Sequence, residues 1–189
     1  ILVSADAPVY YQWLDYMRGV DVNSALSFAF GNDRALFLVL IYVLSFVFSP
    51  LVVVQFVSAL LIVVFGVLSF FVLRLICKVK AVWVMGVLLV PFSFQALGLI
   101  YSGYFANMLA LILVLVYLLL LFRLLHNWSS VGFFGLLFVS IGVLFSHSWT
   151  WFVFALSLVL FLFLEWRSHV KCQVEVGRFK KIGVFVFFT

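Results

Sequence analysis

Charge is what this sequence has least of. Residues 35–73 contain no Asp, Glu, Lys, Arg or His, and residues 131–164 contain one ionisable side chain, His147. Charged residues make up 9% of the 189 positions, where an ordinary soluble domain has about 25%. A water-soluble core is not built from such runs. A hydrocarbon layer requires them, since a charge at the bilayer centre costs on the order of 2.5–3.5 kcal/mol or more. Cysteine is scarce as well. Cys77 and Cys172 sit near basic stretches without metal-ligand spacing, which argues against a disulfide framework or a zinc site. No glycine loop suited to phosphate, no Ser-His-Asp arrangement, no internal repeat and no Gly/Ser linker is present.

What is there is apolar: 68% of residues are hydrophobic, and 25 are Phe, a composition suited to lipid-facing helices. The net charge of +5 does not point to nucleic acid, because the basic residues gather at the ends of apolar stretches, where anionic headgroups lie. The expected partner is a lipid bilayer. The chain opens at Ile1 and closes at Thr189 inside an apolar run, and is expected to be an internal piece of a longer protein.

A helix needs about 20 apolar residues to cross a bilayer. Pro50–Ile76, 81–100 (with Pro91 expected to kink it), Phe105–Leu125, 128–145 and 149–166 meet or approach that length, and 182–189 begins a sixth span. Ser146-His147-Ser148 parts the fourth from the fifth. Segment 35–49 spans only about 22 Å as a helix, short of the roughly 30 Å hydrocarbon core. If it does not cross, nine of the eleven basic residues (Arg74, Lys78, Lys80, Arg123, Arg167, Lys171, Arg178, Lys180, Lys181) share the cytoplasmic side. The N-terminal segment, with Asp6, Asp15, Asp21 and Asp33, then faces outward. The expected fold class is all-α, a polytopic transmembrane helix bundle with an interfacial outer loop. Residues 1–49 form that loop after a missing span, and 50–189 form the bundle. Within the loop, Val9, Trp13, Tyr16 and Met17 fall at helical spacing behind Pro8 and predict an amphipathic interfacial helix.

Candidate functional groups collect on the outward side. Asp6 stands either as a general base or cation ligand at the mouth of the preceding span, or as the cap of the helix that Pro8 opens. Arg34 either holds a phosphate in its guanidinium fork or snorkels to the interface beside a capping Asp33. His147 is either a functional group at membrane depth or a helix-end cap. Tyr101, Ser102, Tyr104 and Asn107 can contact a polar substrate, and an interfacial aromatic belt accounts equally for the tyrosines. Gln55 and Gln95 suit helix–helix hydrogen bonds. Asn127-Trp128-Ser129 matches a glycosylation acceptor by chance, being placed on the cytoplasmic side.

Several features together resemble the polytopic glycosyltransferases of the GT-C superfamily, including protein mannosyltransferase-like and archaeal enzymes dependent on lipid-phosphate sugars. They are Asp6 soon after a span, then an aromatic stretch, then Asp33-Arg34-Ala35-Leu36-Phe37-Leu38 entering an interfacial helix. Ser102-Gly103-Tyr104-Phe105-Ala106-Asn107-Met108-Leu109-Ala110-Leu111 and Ser146-His147-Ser148-Trp149-Thr150-Trp151 are also similar to archaeal members. The resemblance implies transfer of a sugar from a polyprenyl- or dolichyl-phosphate carrier to an acceptor it does not identify, on the outer face. Asp6 would be the catalytic carboxylate and a groove beside the outer loop would take the isoprenoid tail. Arg34, His147, Tyr104 and Asn107 are the substrate-binding candidates. A divalent cation is one candidate cofactor. The pattern departs from the family in two places: Ala5 and Ala7 flank Asp6 where many relatives carry paired acids, and 101–107 has no acid. The alternatives are a transporter component, for which mid-span polar groups are sparse, and a non-catalytic membrane subunit.

Overall fold

The computed structural model describes residues 7–89 and 104–172. The described residues form eight helices and no strand. Three short helices come first: α1 (Ala7–Gly19), α2 (Val22–Phe30) and α3 (Ala35–Leu44). Then follow α4 (Pro50–Ile76), α5 (Lys80–Leu89), α6 (Phe105–His126), α7 (Ser130–Ser146) and α8 (Ser148–Cys172).

Local chemistry sets the boundaries. Pro8 occupies the first turn of α1, where its missing N–H costs nothing. Asp21 caps α2, its Oδ1 accepting from the amides of Asn23 (3.0 Å) and Ser24 (3.1 Å) and its Oδ2 from the Ser24 hydroxyl (2.6 Å). Those bonds from Ser24 hold its carboxyl below the usual carboxylate range. α3 stops where the Ser45 hydroxyl turns back onto the Tyr42 carbonyl at 2.6 Å, and Pro50 holds Ser49 in an extended conformation before opening α4. The 10 residues of α3 therefore measure only about 15 Å. The apolar stretch 35–49 is a short helix and a turn, too short to cross a bilayer.

Two helices are long and apolar enough to span a membrane, Pro50–Ile76 and Phe105–Leu125. At about 1.5 Å per residue, α4 and α6 exceed the roughly 30 Å hydrocarbon thickness. Ser130–Ser146 and Ser148–Phe163 are apolar but shorter. Residues 90–103, with Pro91 and Gln95, and 173–189, including the start of the expected sixth span, lie outside the described residues.

One core joins the N-terminal helices to the long ones. Tyr10, Leu14 and Met17 of α1, and Phe37, Leu38 and Ile41 of α3, are buried there. Val53, Val57 and Leu61 from the first half of α4 join them, with Phe105, Met108 and Ile112 from the first half of α6. Sharing their first halves, α4 and α6 run in the same direction. α7 runs against α6: Gly132, Gly135 and Gly142 lie beside Leu124, Leu120 and Leu113 respectively, so one number rises as the other falls. A Cβ on Gly132 would come within 2.9 Å of Ser129 Oγ and 3.0 Å of Leu124 Cδ1, so a larger residue there would have to displace both side chains. A second cluster, of Tyr117, Leu124 and Leu136, continues this contact away from the first.

The bundle thus has two ends. α1–α3 pack over one, where α4 and α6 begin and α7 ends. The other end holds the α4–α5 and α6–α7 turns. The apolar stripe of α1 differs from the expected one. Ala7, Tyr10, Leu14 and Met17 are buried and Trp13 is half-buried, while Val9 and Tyr16 are exposed. The stripe is rotated because α1 packs on α2, α3 and α4, with Tyr10 also touching Phe105 of α6. Gln55 lies on the exposed face of α4. Phe134 and Phe138 on α7 are 67% and 79% exposed, an apolar face that water alone would not favour.

Candidate functional site

Most of the polar candidates meet at the end covered by α1–α3. Arg34 stands at the start of α3 with its side chain 21% exposed, so it is turned inward rather than snorkelling. Its Nη1 donates to the Tyr10 hydroxyl at 2.8 Å, and its guanidinium carbon lies 5.6 Å from the centre of the Tyr10 ring. Asp33, 60% exposed, approaches Arg34 Nε at 3.7 Å and does not cap α3 through its side chain. The Tyr10 ring is fixed by aromatic contacts from other helices, 4.9 Å to Phe37 and 5.7 Å to Phe105. Arg34 therefore rests on an aromatic floor drawn from α1, α3 and α6. Beside it, Asn32 Oδ1 is buried and accepts no hydrogen bond among the described residues, which costs about 1–3 kcal/mol when nothing fills the position.

His147 lies at the same end. It is the residue between α7 and α8, and its Nδ1 accepts the Thr150 amide at 3.2 Å, the geometry of an N-cap. Of its two sequence readings, the cap is the one seen. The Thr150 hydroxyl donates to Asn107 Oδ1 and its oxygen lies 3.0 Å from His147 Nδ1, so α6, α7 and α8 meet through three side chains. Burial lowers the His147 imidazole below the ordinary histidine value; the Asp33 carboxylate pushes it up and Arg34 pushes it down. Both charges act on His147, and α3 packs against α7, so the α2–α3 turn and the α7–α8 turn lie at the same end of the bundle.

The other candidates stand differently. Tyr104 precedes α6 with its side chain 47% exposed and makes no side-chain cap. Asp6, Tyr101 and Ser102 lie outside the described residues, although the residue after Asp6, Ala7, is buried in the core. Asp15 and Arg18 are exposed, as a solvated face requires. Ser129 is occupied as the cap of α7, its Oγ accepting the Gly132 amide at 3.0 Å. No group of three or more His, Cys, Asp or Glu able to hold a metal ion occurs among the described residues.

Just past Thr150, the Trp151 indole donates to Ser140 Oγ at 3.0 Å. There Tyr117, Ser140, Trp151, Phe154 and Leu158 line a mostly apolar cavity of about 60 Å³. A cavity of about 150 Å³ binds benzene, so this one, less than half that size, is small for a sugar ring.

The opposite end carries Arg74, Lys78, Lys80 and Arg123, all exposed. Arg74 lies 5.9 Å over the Trp83 ring, whose indole N–H donates to the Cys77 carbonyl at 2.6 Å.

Three participants escaped the sequence reading. Thr150 was detectable, being three residues past His147, the spacing at which a cap meets its amide. Tyr10 and Asn32 carry no local signal, since what makes them part of the site is the approach of distant helices. No family model, curated protein or solved structure matches the chain.

Proposed function

We propose that the chain belongs to a multi-pass membrane protein whose α1–α3 end faces away from the cytoplasm and transfers a sugar from a polyprenyl- or dolichyl-phosphate carrier. The observation that carries this reading is the convergence of Arg34, His147 and Asn107 at the end remote from Arg74, Lys78, Lys80 and Arg123. Basic residues favour the cytoplasmic side, which puts the α1–α3 end on the outside. The exposed apolar faces of α4 and α7 suit lipid.

In this reading the acceptor oxygen attacks the anomeric carbon while the bond from that carbon to the phosphate oxygen breaks. The carrier phosphate leaves with the electron pair, and Asp6 takes the acceptor proton. Arg34 offers its fork to the leaving phosphate, His147 hydrogen-bonds it, and Asn32 Oδ1 accepts from a sugar hydroxyl. The test is sugar transfer by the full-length protein in membranes supplied with a polyprenyl-phosphate sugar. Asp6→Asn is expected to lower transfer at least about 100-fold, the scale of a lost general base. Unchanged transfer in that variant, or labelling of residues 7–44 from the cytoplasmic side only, overturns the reading.

The engagement of Arg34 with Tyr10 and Asp33 favours a second reading, a non-catalytic subunit in which Arg34 braces the helix junction. Arg34→Ala would then weaken folding while a partner's activity per folded complex stays constant.

A further inference from the structure

Two incompatible demands fall on one atom, His147 Nδ1. The Thr150 amide donates to it at 3.2 Å, which requires a nitrogen without a proton. Thr150 Oγ1 lies 3.0 Å away, but its single proton goes to Asn107 Oδ1. While the hydroxyl proton points to Asn107, that oxygen can only accept from Nδ1, which requires a nitrogen bearing a proton. Without that proton, as in the neutral tautomer protonated on Nε2, His147 caps α8. With it, a continuous chain runs from Nδ1–H to Thr150 Oγ1 to Asn107 Oδ1, tying the α7–α8 turn to α6, and the Thr150 amide loses its acceptor.

We propose that the α7–α8 junction is a proton-driven switch with two positions, a capped α8 when His147 is neutral and an α6-linked relay when it is charged. The proposal rests on the junction geometry and stands whether or not the chain transfers a sugar. The charged groups facing His147 are Asp33 and Arg34, from the turn before α3. α6 contributes Asn107, and α8 contributes Thr150, neither of which titrates. α7 contributes Ser146, whose hydroxyl donates to the Gly142 carbonyl at 2.7 Å. Tyr104 at the start of α6 and Tyr10 beneath Arg34 are phenols. Asp33 stabilises the charged position, and burial and Arg34 oppose it.

The sign follows from the lowered imidazole. The cap's contribution is complete above the unfolded histidine value of about 6.5 and is lost as pH falls through the lower folded value. The experiment is amide hydrogen exchange of residues 148–152 in the full-length protein in lipid nanodiscs at pH 7.5 and 5, corrected for intrinsic rate. Protection at Thr150 should fall reversibly by about fivefold, the scale of one lost N-cap. His147→Asn supplies an acceptor that does not titrate, so protection there should not change with pH. Thr150→Val keeps the amide but removes Oγ1, so the transition should move to lower pH. A flat wild-type profile, the same drop in His147→Asn, or an unmoved midpoint in Thr150→Val each overturns the proposal.

Discussion

The two ends of the bundle hold their polar groups differently. Under α1–α3, Arg34 reaches Tyr10 across 24 residues and Thr150 reaches Asn107 across 43. At the basic end the bonds are local: Trp83 to the Cys77 carbonyl across six residues and the Gly132 amide to Ser129 across three. A local bond needs only its own turn to form. A bond between distant helices exists only once the core has brought them together, and it fixes their relative position in return. The covered end is therefore organised by tertiary packing, whereas the basic end presents exposed charges on self-sufficient turns.

That contrast can be broken by substitution. The largest effect is expected from Tyr10→Ala, which removes a fully buried ring touching Phe37 and Phe105 and deprives Arg34 of its partner. A loss of about 3–5 kcal/mol is expected from the cavity alone, read by denaturant or thermal unfolding in detergent. Tyr10→Phe isolates the hydroxyl and should cost about 1–3 kcal/mol. Ser129→Ala tests a local bond and should cost about 1 kcal/mol by freeing the Gly132 amide. A larger loss would mean that the α6–α7 turn is coupled to the rest of the bundle. The smallest effect is expected from Lys78→Gln with Lys80→Gln, exposed side chains whose removal should change stability by less than about 0.5 kcal/mol. A change as large as that of Tyr10→Ala would erase the distinction between the ends.

The same contrast explains what could be read beforehand. The bounds of α4 coincide with the expected Pro50–Ile76, and the break at His147 falls where Ser146-His147-Ser148 predicted it. Both follow from charge-free runs punctuated by Pro and Ser. Arg34, His147 and Asn107 could be picked out because polar residues are conspicuous in so apolar a chain. Their partners could not. The stripe expected on α1 (Val9, Trp13, Tyr16, Met17) differs from the buried one because apolar and aromatic residues occur on more than one of its faces, and successive helical residues turn about 100°. Which face is inward depends on the neighbour it meets.

The sequence by itself determined that this chain is helical among its described residues, where its long apolar helices begin and end, and that its basic residues crowd the ends of those helices. These are properties of single segments, set by composition and by signals a few residues long. Only the tertiary structure decided that Arg34 lies against Tyr10, that α1 turns Leu14 inward, and that Thr150 stands between His147 and Asn107. Each of those depends on the register and rotation of helices far apart in the chain, and side-chain packing selects that arrangement.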